Sequence, residues 1–122
     1  MHGNERLRVF IVDDDPSIAN LASALLRHAN MDASPFYDAL SAAQQVLISK
    51  PHVVVTDFQM PLFNGLELTA WLHENSPACK VILLTGNAQT VMARTVPALK
   101  FTLLEKPINS QTLIAAVLHA VS

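Results

Sequence analysis

LRVFIVDDD, residues 7–15, is the stretch on which the fold turns. Residues 7–12 are apolar apart from Arg8, as in a strand covered on both faces of a sheet. Three aspartates close it, and beyond them Ile18, Leu21, Ala22, Leu25, Leu26 and Ala29 recur at helical spacing. Asp15 before Pro16 has the form of an N-cap and a first-turn proline. A buried strand that feeds straight into an amphipathic helix is half of a βαβ unit, and it needs parallel neighbours.

Those neighbours follow along the chain. A weaker strand at 33–37 contains Pro35, which cannot donate to a ladder and so belongs at a sheet edge. Leu40, Ala43, Val46 and Leu47 suit a second helix, and VVVT at 53–56 is a third, buried strand that ends at Asp57. After a loop at 61–65, Leu68, Trp71 and Leu72 mark a third helix. KVILLT at 80–85 is a fourth strand, followed from about Ala88 by a poor helix that Pro97 should stop. FTLLE at 101–105 is a fifth strand and 110–121 the last helix. Right-handed crossovers then predict a five-stranded, doubly wound parallel α/β sheet with helices on both faces.

Composition narrows the possible functions. A chain of 122 residues fits one domain, 1–122, with no room for a separate output domain. Apolar residues make up 51% and charged residues 15%, against a usual charged share of about 25%, which excludes an intrinsically disordered chain. The net charge of −2 offers no basic footprint for nucleic acid. No apolar run approaches the roughly 20 residues of a membrane span. The single cysteine, Cys79, cannot pair within the chain, which fits a reducing compartment, the cytoplasm. The five histidines have no ligand spacing and read as surface or packing residues, as does Trp71.

Chemistry in such a sheet gathers beyond the carboxyl ends of the strands. Those ends carry Asp13, Asp14 and Asp15, then Asp57, Thr85 and Lys106. Two carboxylates ~5 Å apart repel by roughly 3 kcal/mol at an effective dielectric of ~20. A divalent cation relieves that repulsion, and all-oxygen ligands select a hard ion such as Mg²⁺. With Lys106 it would neutralise phosphoryl oxygens and leave one carboxylate free to attack phosphorus. Asp15 reads as no more than a helix cap.

At these residues the chain resembles the receiver domains of two-component response regulators. The resemblance rests on VDDDP at 12–16, TDFQMPLFNG at 56–65, LLTG at 83–86 and EKP at 105–107, in the family's order. It implies a flavodoxin-like (βα)5 sheet of strand order 2-1-3-4-5. Asp57 matches the phosphoacceptor, Asp13 and Asp14 the acidic pair, Thr85 the switch hydroxyl and Lys106 the conserved-type lysine. Mg²⁺ would be held by Asp14, Asp57 and the Gln59 backbone carbonyl, with Asp13 acting mainly through water. The implied partner is a sensor histidine kinase or histidine phosphotransfer protein. The Lys106–Pro107 bond is expected to be cis.

Two other readings bear on the same residues. Asp13-Asp14-Asp15-Pro16-Ser17 also fits the nucleophile loop of haloacid-dehalogenase-like phosphatases, but those need further acids after the lysine, and none follows Lys106. A degenerate receiver serving only as an interaction module would be expected to lack part of a set that is complete here. The chain departs from the receiver pattern at Leu103, where the family carries Tyr or Phe. The glycine common before strand five is also missing, and the span from Thr85 to Lys106 is about one residue short. Residues 86–122 carry only Arg94, Lys100, Glu105 and Lys106 as charges. This is the face by which the family engages an output domain, an effector or a second copy. Leu113, Ile114, Val117, Leu118 and Val121 give the last helix a wide apolar arc that can fill the core or extend into a docking patch.

Overall fold

The computed structural model describes residues 5–122. His2 lies outside the described residues. Strand β1 (Arg8–Val12) leads into helix α1 (Pro16–His28), and β2 (Asp32–Phe36) into α2 (Ala39–Ser49). Then come β3 (Val53–Asp57), α3 (Gly65–Asn75), β4 (Lys80–Thr85), α4 (Ala88–Arg94), β5 (Thr102–Glu105) and α5 (Ser110–Ala120). All strand pairs are parallel, in the order β2-β1-β3-β4-β5. The flavodoxin-like arrangement expected from the sequence is the one observed, and β2 with Pro35 is an edge strand. Among the described residues no helix is long and apolar enough to cross a membrane.

Each central strand is buried on both sides, so alternate residues serve two separate cores. Val9, Ile11, Val53, Val55, Ile82 and Leu84 face α1 and α5. Phe10, Val12, Val54 and Val81 face α2 and α3. A third cluster, Phe58, Leu66, Leu83 and Val91, seats α4 beside α3 at the carboxyl end of the sheet. Full burial of one such aliphatic side chain contributes about 1.5–3 kcal/mol, so these layers fix the strand ends rigidly.

Two helical faces differ from expectation. In α1 the buried residues are Ala19, Ala22, Ser23 and Leu26, while Ile18 and Leu21 face solvent. In α2 they are Ala39, Ala42, Ala43 and Val46, while Leu40 and Leu47 are exposed. Both buried faces follow the i, i+3, i+4, i+7 pattern with small residues, which let a helix lie close against the sheet. The larger leucines are displaced to the rim. The Ser23 hydroxyl is buried with no hydrogen-bond partner.

Asp15 caps α1 through the Ser17 N–H, with Pro16 in the first turn, as the sequence predicts. Helix α4 ends at Arg94, before Pro97, after only 7 residues. Two histidines act as backbone acceptors at the end of the sheet opposite the aspartates. His52 Nδ1 accepts from the Arg8 N–H at 2.9 Å, and His73 Nε2 from the Lys100 N–H at 2.8 Å. Trp71 is half-buried against the α2–α3 core. Cys79 is buried, and that burial pushes its thiol pKa up to about 12, leaving it chemically inert. In α5 only Leu113 and Val117 are fully buried; Ile114 packs against their cluster, while Leu118 and, just past the helix end, Val121 reach solvent.

Candidate functional site: an acidic cluster with one lysine

Four strand ends bring the polar residues together. β1 delivers Asp13, whose N–H donates to the Phe36 carbonyl and whose Oδ1 accepts from the Asp15 N–H at 2.9 Å. β3 delivers Asp57, 8% exposed, and the next N–H, that of Phe58, donates to the Leu84 carbonyl of β4. The Thr56 hydroxyl donates to the Asp57 carbonyl at 3.0 Å, which fixes the peptide at the end of the strand. Lys106 follows β5, its N–H held by the Thr85 carbonyl at 2.7 Å, and its bond to Pro107 is cis.

The side chains converge from these anchors. Lys106 Nζ lies 2.8 Å from Asp57 Oδ1 and 3.7 Å from Asp13 Oδ2. Carboxylate oxygens of Asp13, Asp14 and Asp57 all lie within 4.8 Å of one another. Asp13 Oδ2 is buried and has no hydrogen-bond partner, only the longer contact to Lys106. Burial raises the Asp13 carboxyl above the usual range, and the Asp57 and Asp14 charges push the same way against the Asp15 N–H and Lys106. Burial alone would lower Lys106, but its hydrogen bond to Asp57 and the two buried carboxylates outweigh that and leave it raised. Lys106 therefore stays a cation. Three clustered carboxylates with one buried oxygen unsatisfied suit a hard divalent ion such as Mg²⁺.

Thr85 and Gln59 border the same place. A cavity of about 330 Å³ is lined by Asp57, Gln59, Thr85, Asn87 and Lys106, among others. The Thr85 hydroxyl both donates to the Asn87 carbonyl at 3.2 Å and accepts from the Asn87 N–H at 3.0 Å. Asn87 in turn caps α4 through the Thr90 N–H. Sequence reasoning singled out Thr85 but missed Asn87, although Asn three residues before Thr90 is a readable cap signal.

Gly65, read from the sequence only as the last residue of the TDFQMPLFNG stretch, is in the structure a determinant of the site. Its N–H donates to the Phe58 carbonyl at 2.9 Å, so α3 starts directly against the end of β3. A β-carbon there would lie 2.7 Å from the Asp57 carbonyl oxygen and 2.5 Å from Leu83 Cδ1. The loop between them is tight enough to place Leu62, fully exposed, at φ 71°.

With this geometry in place, the relatives of the chain are informative. The sequence model described as "Response regulator receiver domain" matches residues 9–118. The C4-dicarboxylate transport transcriptional regulatory protein DctD of Pseudomonas aeruginosa is 33% identical over 116 residues, covering 93% of this chain and 25% of that protein. The DNA-binding response regulator MtrA of Mycolicibacterium smegmatis is 31% identical over 86 residues, covering 70% of this chain and 37% of that protein. The chain thus spans a minor part of these curated relatives. Among solved structures, the chemotaxis protein CheY4 of Vibrio cholerae superposes with a TM-score of 0.87 at 24% identity, covering 95% of this chain and 99% of that one, a likeness of fold. A sensor protein from Polaromonas sp. JS666 superposes with a TM-score of 0.86 at 26% identity, covering 96% and 97%.

Proposed function

This chain belongs to the response regulator receiver domain family, and from that premise we propose that Asp57 accepts a phosphoryl group from a phosphohistidine on a partner protein. One observation carries the proposal: Lys106 Nζ sits 2.8 Å from Asp57 inside a cluster of three carboxylates. An Asp57 carboxylate oxygen attacks phosphorus in line. The P–N bond to the donor imidazole breaks, and its electron pair stays with the ring, which takes up a proton. Lys106 pairs with the phosphoryl oxygens as they crowd against Asp57, and the Thr85 hydroxyl donates to one of them. Mg²⁺, held by Asp14, Asp57 and the Gln59 carbonyl with Asp13 behind water, would spread the negative charge of the transition state. The chemistry is confined to the protein's own modification, and its purpose is signalling rather than turnover of a metabolite.

We place this domain, residues 1–122, in the cytoplasm, with a sensor histidine kinase or histidine phosphotransfer protein as donor. Output runs to an effector, an attached domain or a second copy through α4, β5 and α5, without direct contact to nucleic acid or membrane. Lys106→Met tests the chemical reading. Removing a charged donor from a reacting centre costs on the order of 10²–10³ in rate, so labelling by acetyl phosphate with Mg²⁺ should slow to that degree. Uptake at the wild-type rate would refute the role given to Lys106. Asp14→Ala should weaken Mg²⁺ binding in a direct titration, because two carboxylates hold the ion less well than three.

Conformational output follows a different route from an aromatic rotamer swing. Leu103 has no ring, and it packs with Leu83, Val91 and Phe58. When Thr85 turns toward a phosphoryl group, it must leave Asn87, so the movement passes to the α4 cap. Amide exchange with and without beryllofluoride should therefore change most from Gly86 through α4. Changes of equal size centred on Leu103 and β5 would contradict this route.

A further inference from the structure

Helix α2 presents an apolar stripe to solvent, and the stripe is symmetric about its middle. From Ala39 to Ser49 the helix holds no charged residue. Its inner face is buried, while Leu40, Leu47 and Ile48 are 66%, 55% and 75% exposed. With the exposed Gln44 they fall at i, i+4, i+7 and i+8, which places all four on one side of the helix. Charge appears only at the two ends, as Asp38 at the N-cap and Lys50 at the C-cap. The Asp38 carboxylate accepts from the N–H and the hydroxyl of Ser41. Among the described residues neither Asp38 nor Lys50 has an ion-pair partner.

Gln44 is the midpoint of this pattern. Leu40 and Ile48 stand four residues to either side of it, and Asp38 and Lys50 six. A two-fold axis through Gln44 that lays two copies of α2 antiparallel therefore sets Leu40 against Ile48 of the second copy, and Asp38 against its Lys50. By symmetry both contacts occur twice. Gln45 is engaged with the Ser49 hydroxyl, but among the described residues the Gln44 amide has no partner. On the axis two such amides meet, each with a donor and an acceptor for the other. Antiparallel packing also brings the positive end of one helix dipole beside the negative end of the other. A parallel pair would instead oppose Asp38 to Asp38 and Lys50 to Lys50.

We propose that this face of α2 binds a second copy of the chain as an antiparallel helix pair centred on Gln44. The apolar contacts supply the attraction, and the charges at the helix ends fix the direction. A helix of 11 residues covers less than a standard interface, so the association is weak and reversible. None of these residues lines the Asp57 cavity or belongs to α4, β5 or α5, so the contact is separate from the acceptor site and from the output face.

Sedimentation velocity over roughly 10 μM to 1 mM, the range of a small interface, tests the pairing. The weight-average mass of the wild-type chain should climb from that of one chain toward that of two. Leu40→Glu and Ile48→Lys should each raise the dissociation constant roughly a hundredfold, because symmetry places each change at two contacts. An equimolar mixture of the two variants should associate again. In a mixed pair the introduced carboxylate faces the introduced ammonium at one contact, and Leu40 keeps Ile48 at the other. That recovery also shows that both variants are folded. A wild-type chain that stays monomeric to the top of the range would overturn the pairing and leave the stripe to a different protein. Single variants that associate like the wild type would overturn it by placing the contact on another face. A mixture that stays monomeric would overturn the antiparallel register.

Discussion

Asp57→Asn should abolish the hydroxylamine-labile label that acetyl phosphate and Mg²⁺ place on the wild-type protein, with the fold intact. The amide matches the carboxylate in shape, and its oxygen can still accept from Lys106 at the place where Asp57 Oδ1 now lies 2.8 Å away. What it lacks is the anionic oxygen that attacks phosphorus. Substitution also removes one of three mutually repelling carboxylates, so thermal stability should hold or rise slightly. The largest effect is thus on chemistry alone. Full labelling of the variant, measured by intact mass, would show that another residue takes the phosphoryl group.

Gly65→Val should cost the most stability of any single change considered. Even the first side-chain carbon would meet the Asp57 carbonyl oxygen at 2.7 Å and Phe58 Cα at 3.1 Å, both backbone atoms that cannot turn aside. Relief requires α3 to lift from the end of β3, which breaks the Gly65 N–H to Phe58 carbonyl bond. Overpacking of this kind costs roughly 3 kcal/mol, a large part of the ~5–15 kcal/mol that holds a domain together. The melting temperature should fall by on the order of 10 °C, and Mg²⁺ affinity should fall with it because Asp57 moves. A melting temperature within about 2 °C of wild type would show that the β3–α3 junction is looser than its contacts indicate.

How much of this was legible in the sequence varies with the scale of the interaction. Alternation of apolar strands with helical repeats gave the five βα units, and Pro35 marked an edge, because both are properties of local backbone chemistry. The convergence of Asp13, Asp57, Thr85 and Lys106 was legible through topology, since parallel strands place all their carboxyl ends together. Helical faces were less legible. Leu21, Leu40 and Leu47 carry the strongest apolar signal, yet the sheet takes Ala19, Ala22, Ala39, Ala42 and Ala43, because close approach rewards small side chains over large ones. Clearances were not legible at all. The lack of space at Gly65, the two-way bond between Thr85 and Asn87, and the seat of Arg94 over Phe58 depend on distances that no periodicity encodes.

Location of the phosphoryl group on the wild-type chain is the most direct test. After incubation with Mg²⁺ and acetyl phosphate, borohydride reduction converts an aspartyl phosphate to homoserine and leaves a permanent mark at that residue. Tryptic cleavage after Arg8, Arg27 and Lys80 then separates Asp57 from Asp13, Asp14 and Asp15, and the Lys50–Pro51 bond, which resists the protease, leaves the Asp57 peptide uncut between Arg27 and Lys80. The mark is predicted at Asp57, in the peptide running from His28 to Lys80. A mark at Asp13, in the peptide from Val9 to Arg27, would contradict the assignment and point instead to the nucleophile loop of a phosphatase.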